Sequence, residues 1–481
     1  MKKIIYLLYF LLSIFMFYMK VGLNNISFII SLGLGLIFYG IFSKVSIKEE
    51  LEKYSRKGIK NKYLIYSIIY LFIIFLLLGG ISYIIALIIK IKYLNIINIV
   101  MTFMMFSLVL FKVISEYLDM HYHKLSKVLN SLFHISNILL SVISIILFKY
   151  IFKIDNYINI IVLYGIPIFN IIIISLLFCF FIIRKDKSSC KGKINIKEIK
   201  NNLIKDKNGN FYNVIKASYI YVSIIILYYV LNNRYNYDID IVASYITGLY
   251  FYGIIFIYYI YIIIKRLFKE KYTIIEGKII NKEKDIDKSF HNLINNIIKY
   301  GIGFSILLMI ISGPLTNILY PGKYNFIFDL VILLFFYILY DIIMSINILC
   351  NERRFKLVIL SGFVANIIFE VPLIDSFYRM GYTLSFGGIL SIVLGYTISI
   401  IMGLIFIHSK LKINYLNNFN NILDIVYKNI ILCVILVLFT FILDVKSTNI
   451  WYSFINVIVY SLITIIYYIF INVKFLGGRN E

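Results

Sequence analysis

The chain has 481 residues, 61% hydrophobic and 15% charged, with a mean hydropathy of +0.89 and a formal net charge of +24. Soluble globular domains run at about 45–50% apolar, so this composition excludes that class and requires a polytopic membrane protein. The positive charge would suit a nucleic-acid partner, but the basic residues fall in alternate loops between apolar runs, which removes that reading.

Apolar runs bounded by charged and turn-forming residues predict about fourteen transmembrane helices, hence an all-α fold. They fall near 4–19, 26–43, 64–90, 94–115, 127–151, 158–183, 213–232, 240–264, 290–312, 325–350, 355–375, 384–408, 429–445 and 452–473. The opening MKKIIYLLYFLLSIFMFYMK has the charge and apolar run of a signal peptide. It has no small-residue cleavage site and leads straight into further apolar runs, so it is the first span. With the N terminus inside, 37 Lys and Arg residues fall in inside segments and nine outside. Basic loops stay cytoplasmic, which puts both termini inside a cytoplasmic membrane.

An internal repeat at an offset of about 231 residues matches Gly80 with Gly313, Lys92-Tyr93 with Lys323-Tyr324, Lys124 with Lys356 and Asn137 with Asn366. It predicts two parallel six-helix lobes, 1–184 and 213–410, joined by a basic cytoplasmic linker, 185–212. Two extra helices with the tail, 429–481, follow a segment, 411–428, in which Ile413, Leu416, Phe419, Ile422 and Val426 form an amphipathic pattern for the inner surface.

Polar groups inside a bilayer are costly and face a cavity or a partner helix. In the fifth span Asn130, His134, Asn137, Ser141 and Ser144 form one helical stripe; its repeat partner, span 11, aligns Gly362, Asn366 and Glu370. Span 9 carries Asn292, Asn295, Asn296 and Lys299, and span 10 carries Asp341. Lys299, His134, Asn137, Asn130, Asn295, Asn366, Glu370 and Asp341 are therefore the candidate cavity-lining residues, in a polar cleft between lobes. Packing between helices is the competing reading for the Asn and Ser residues, and the leading one for His134. Lys299 lies about ten residues, roughly 15 Å, into its span, at a depth similar to Asp341, which predicts an intramembrane pair. Lys112 and Glu116, four apart, read as an intrahelical pair or a snorkelling lysine. Gly387, Gly388, Gly395 and Gly403 permit close helix approach, and Trp451 is an interfacial anchor. The 43 tyrosines read as compositional bias with interfacial anchoring. Cys179, Cys190, Cys350 and Cys433 are scattered, so no metal site, disulfide framework or cofactor is indicated.

The order of GPLTNILYPGKY, an acid-bearing helix, NERRFK, a helix closing on VPLID and a Gly-rich helix resembles the multidrug/oligosaccharidyl-lipid/polysaccharide exporter superfamily. It is most similar to the polysaccharide-transporter branch, that of stage V sporulation protein B and the lipid II flippases, over 285–410. The resemblance implies a flippase, not an enzyme, that moves a polyprenyl-pyrophosphate-linked saccharide by alternating access. Lipid II flippases keep arginines in first-lobe cavity helices, whereas the first arginine here, Arg56, lies in a loop. A diphosphate would rest on Lys299, Lys112 or Arg379. A cation-coupled drug exporter using Asp341 or Glu370 is the alternative. A membrane-embedded glycan polymerase or ligase ranks below both, because the external loops are short. Anionic lipids are expected at the basic loops, and the coupling ion and oligomeric state stay open. The orientation predicts that Lys323→Cys is labelled by an impermeant thiol reagent from outside and Lys193→Cys only after permeabilisation; the reverse pattern overturns it.

Overall fold

The computed structural model describes residues 2–21, 25–47, 52–55, 60–91, 93–152, 156–185, 199, 203, 206–283, 286–321, 326–350, 354–383, 385–443 and 449–477. Among them every regular element is helical. The first seven are α1 (Lys2–Tyr18), α2 (Ile26–Ile41), α3 (Lys60–Ile89), α4 (Leu94–His121), α5 (His123–Ile146), α6 (Asn156–Lys185) and α7 (Lys207–Tyr229). Then follow α8 (Ile239–Ile280), α9 (Ile286–Leu319), α10 (Phe326–Leu349), α11 (Phe355–Arg379), α12 (Phe386–Leu411), α13 (Phe419–Thr440) and α14 (Ile450–Gly477). A π-helical turn, Gly248–Gly253, interrupts α8. Among the described residues twelve helices are long and apolar enough to cross a bilayer, and α1 and α2 are shorter apolar helices. Their outer surfaces are hydrocarbon: on α3, Leu77 is 65% and Ile88 72% exposed, an arrangement suited to lipid and not to water. Most of the linker 185–212 and, of the outside basic residues, Lys92, Lys153, Lys323 and Lys446 lie outside the described residues.

The chain divides into two compact units, Met1–Thr247 and Gly248–Glu481. In the first, α2 is central, with eleven of its sixteen residues buried. Its sequence ISFIISLGLGLIFYGI explains why. A Cβ on Gly33 would stand 2.8 Å from the Tyr221 ring, and one on Gly40 only 3.0 Å from the Val214 backbone, so small residues let α7 lie directly on α2. Past its C-terminus, the 43–47 backbone is gripped from two sides. Lys112 Nζ donates to the Ser43 carbonyl at 2.9 Å and Glu116 accepts from the Ile47 amide at 2.8 Å, while Asn210 accepts from the Lys44 amide at 3.0 Å. Lys112 and Glu116 are thus a clamp on α2's exit and not a self-contained pair, because an orphan carbonyl at a helix C-terminus competes for the ammonium.

In the second unit α11 and α12 form a tight antiparallel pair, α10 packs on α12, and α9 carries both C-terminal helices. Residues 419–428 are the first turns of α13, which runs unbroken to Thr440, and not a separate surface helix. Ile413 is fully buried whereas Leu416 is 83% exposed, so the amphipathic pattern of 411–428 does not form one face. Polar docking decides the path instead. Asn414 donates its amide to Asp287 at 3.0 Å, the Tyr415 hydroxyl donates to the Leu404 carbonyl at 2.8 Å, and Asn418 and Asn295 exchange two amide bonds of 2.7 and 2.8 Å.

The α11–α12 seam is set by Gly387, where a Cβ would come 2.5 Å from the Ile374 N and Cα and the Leu373 carbonyl. Backbone cannot yield as a side chain can. Gly387→Ala is expected to destabilise the purified protein by about 1–3 kcal/mol, the usual cost of overpacking. Gly388→Ala, whose Cβ would meet the Tyr250 hydroxyl at 3.3 Å, should cost less. Equal melting temperatures for Gly387→Ala and the unsubstituted chain would contradict this packing.

Candidate functional site

Asp341 lies on α10 with its side chain 6% exposed, and its Oδ2 accepts a hydrogen bond from Lys265 Nζ at 2.8 Å and another from the Tyr261 hydroxyl. Lys265 Nζ also donates to the Tyr261 oxygen at 2.7 Å. Tyr261 and Lys265 are one turn apart on α8, so one face of that helix delivers a cation and a hydroxyl to a single carboxylate. Tyr337, one turn before Asp341, meets the Tyr261 ring edge-on at 4.8 Å. The expected Lys299–Asp341 pair is therefore corrected to Lys265–Asp341.

Lys299 is elsewhere for a reason of length. α9 has 34 residues, so it is about 51 Å long against a hydrocarbon core of about 30 Å. Its first turns, IDKSFHNLINNIIK, are amphipathic, which leaves Lys299 at the edge of the apolar stretch and not deep within it. Lys428, Lys271 and Asp424 are among the charged groups that act on it. Asn295, on the same stripe, is engaged with Asn418.

Glu370 and Asn366, four apart on α11, are both 0% exposed. Asn366 Nδ2 donates to Glu370 Oε2 at 3.1 Å and to Ser391 Oγ of α12 at 3.4 Å, while Asn366 Oδ1 is buried without a hydrogen-bond partner. The absence of a side chain at Gly388 opens this spot, since a Cβ there would contact both Glu370 Oε1, at 3.7 Å, and the Tyr250 hydroxyl, at 3.3 Å. The π-helical turn of α8 supplies Tyr250. A carboxylate, an amide carbonyl and two hydroxyls thus converge in the second unit. All are hard oxygen donors, which fits a proton or a small cation.

In the first unit the α5 stripe meets protein. The Tyr9 hydroxyl of α1 lies 3.2 Å from His134 Nδ1, and Asn137 accepts a hydrogen bond from Asn170 of α6. Ser141 and Ser144 turn back onto their own helix, at 2.7 and 2.9 Å. Asn130 is half-buried near the start of α5, and Leu139, on the opposite side, is 56% exposed. A groove of about 420 Å³ between α5 and α6 is lined by Leu140, Ile143, Phe148, Ile166 and Phe169, a surface for hydrocarbon.

The sequence thus pointed to Asp341, Asn366 and Glu370 but missed Lys265, Tyr261, Tyr250 and Ser391. Lys265 looked like the start of a basic loop because α8 continues fifteen residues beyond it, to Ile280. The two tyrosines were hidden among 43, although the four-residue spacing of Tyr261 and Lys265 was a usable signal.

No protein-family model matches this sequence, and no curated protein does. Solved structures share its fold. One titled lipid II flippase MurJ, inward closed conformation, superposes with a TM-score of 0.59 at 16% identity, covering 99% of this chain and 98% of that one. A multidrug resistance MATE family transporter of the MOP superfamily, inward-facing, gives 0.55 at 13% identity, covering 85% of this chain and 94% of that one. The eukaryotic MATE transporter AtDTX14 gives 0.51 at 12%, covering 88% and 95%. The chain thus shares the fold of these three transporter structures.

The Asp341 cluster makes a double-mutant test. Asp341→Asn and Lys265→Gln should be non-additive in unfolding free energy by about 0.5–3 kcal/mol, whereas Asp341→Asn and Lys299→Gln should add to within about 0.5 kcal/mol. Additivity in the first pair would contradict the Lys265–Asp341 pair, and coupling in the second would restore the sequence expectation.

Proposed function

We propose that this chain is an alternating-access transporter that flips a polyprenyl-pyrophosphate-linked saccharide across the cytoplasmic membrane, both termini inside. The observation that carries the reading is the extent of the likeness to the flippase structure. At 99% of this chain it takes in α13 and α14, whereas the two MATE structures cover 85% and 88%. A transporter built to the longer plan suits a substrate with a long lipid tail.

Glu370 is the proposed coupling group. Glu370 is fully buried, with Asn366 donating to its Oε2, and an ionised carboxylate at that depth is costly to keep in hydrocarbon. Taking up a proton or a cation removes that charge and biases α11 and α12 toward the conformation that holds the ion better. An ion shifts the equilibrium only by its difference in affinity for the two states. Asp341 is ion-paired with Lys265. Lys112 is held by the Ser43 carbonyl, which weakens its case as a diphosphate ligand.

The MATE likeness and the buried carboxylates support a second reading, a cation-coupled exporter of drugs or metabolites. Depletion of the protein decides between them: a lipid-linked saccharide accumulates on the inner leaflet in the first case, and sensitivity to lipophilic drugs rises without it in the second. Glu370→Gln should leave membrane abundance unchanged and lower transport about tenfold with loss of its ion dependence, within the usual range of coupling energies. Full activity with unaltered ion dependence would remove Glu370 from the mechanism.

A further inference from the structure

α5 carries a histidine deep in its span. The apolar stretch that contains it runs from His123 to Ile151, 29 residues, and His134 stands eleven residues in, about 17 Å from the start. The chain's other histidines, His121, His123, His291 and His408, lie within two turns of a helix end. Imidazole is the side chain that ordinarily changes charge between about pH 5 and 8, and an ionisable group inside a membrane span needs a role that repays its insertion.

Aromatic packing fixes the ring. Phe111 of α4 and Phe133 of α5 stack at 3.9 Å, and the imidazole meets them edge-on at 6.0 and 5.5 Å. Tyr9 of α1 meets it edge-on at 5.8 Å and brings its hydroxyl to 3.2 Å from Nδ1. A phenyl ring would fill this niche with no polar group to satisfy. The imidazole adds a nitrogen that ties α5 to α1.

Among the described side chains, Tyr9 is the titratable group that faces His134. From α4, Lys112 and Glu116 are turned to the 43–47 backbone. From α6, Tyr164 donates to the Phe28 carbonyl of α2 at 3.1 Å, and Asn170 reaches α5 at Asn137. Tyr6, on α1, and Lys124 and Lys127, at the start of α5, are exposed.

We propose that His134 is a proton-binding site of the first unit and that proton uptake resets the contact between α1 and α5. In neutral imidazole Nδ1 either accepts from the Tyr9 hydroxyl or donates to it, according to the tautomer. Imidazolium carries a proton on both nitrogens, so Nδ1 can only donate and the Tyr9 oxygen can only accept. One proton is taken up, none is released, and the Tyr9 hydroxyl proton turns away from the ring. The bond that results is charge-assisted and stronger than its neutral form. At the far end of α1, Lys149 Nζ donates to the Met19 carbonyl at 3.1 Å, so protonation acts on the middle of a helix pinned at its end. The site lies in a different unit from Glu370, and the inference does not depend on which molecule the protein transports.

The test is magic-angle-spinning NMR of the full chain, labelled with 13C,15N-histidine, in phosphatidylcholine bilayers titrated over roughly pH 5 to 8. His134→Gln removes one of the five histidine signals and so identifies it. A chain with the other four histidines changed to Gln gives the same assignment should that variant fail to fold. The His134 ring should pass from neutral to imidazolium shifts within the range. Tyr9→Phe should move the midpoint by roughly half a pH unit or more, the difference between a neutral and a charge-assisted hydrogen bond. A ring that keeps one charge state throughout, or the same midpoint in Tyr9→Phe as in the unsubstituted chain, overturns the assignment.

Discussion

In hydrocarbon there is no water to satisfy a polar group, so each one that enters must find its partner within the protein. This constraint orders the whole structure. It ties Asp341 to Lys265 and Tyr261, Asn418 to Asn295, Asn137 to Asn170, and Asp329 to Thr383 at 2.8 Å and to Ser385. Each bond joins two helices, or a helix and a loop, so the polar residues that are costliest to insert are also those that define which surfaces meet.

Against that rule Asp341 and Glu370, both buried in the second unit, are held differently. Asp341 faces an ammonium group that reaches half into solvent, so its negative charge is balanced by the fold itself. Glu370 accepts from the Asn366 side-chain amide, and Asn366 Oδ1 beside it has no hydrogen-bond partner. Asp341 thus ties α8 to α10 through a charge pair, whereas the Glu370 site ties α11 to α12 through Asn366 and Ser391.

Helix number, order and approximate bounds were legible in the sequence because an apolar run of bilayer length has few other solutions. The acids and Asn366 stood out for the related reason that polar residues are conspicuous in apolar runs. What the sequence did not reveal was depth and azimuth. Lys299 was placed too deep because α9 extends past the bilayer on its amphipathic turns, a length that hydropathy does not register. Tyr261 and Tyr250 belong to a residue type so common here that identity carried little information, and only the backbone shows which tyrosines point at carboxylates. The 411–428 pattern misled for a further reason: an apolar period measures a helix face only if the helix exists, and loop docking through Asn414, Tyr415 and Asn418 cuts it short.

The seam between α9 and α14 is encoded by a missing atom. A Cβ at Gly303 would collide with the Tyr468 hydroxyl, the same hydroxyl that reaches the Lys299 carbonyl and Asn429. The two sides therefore contribute unequally. α14 supplies a side chain, whereas α9 offers a vacancy and a main-chain oxygen, neither of which depends on what other α9 residues are. The appended pair can thus stay attached while the rest of α9 drifts in sequence, so long as one position remains bare.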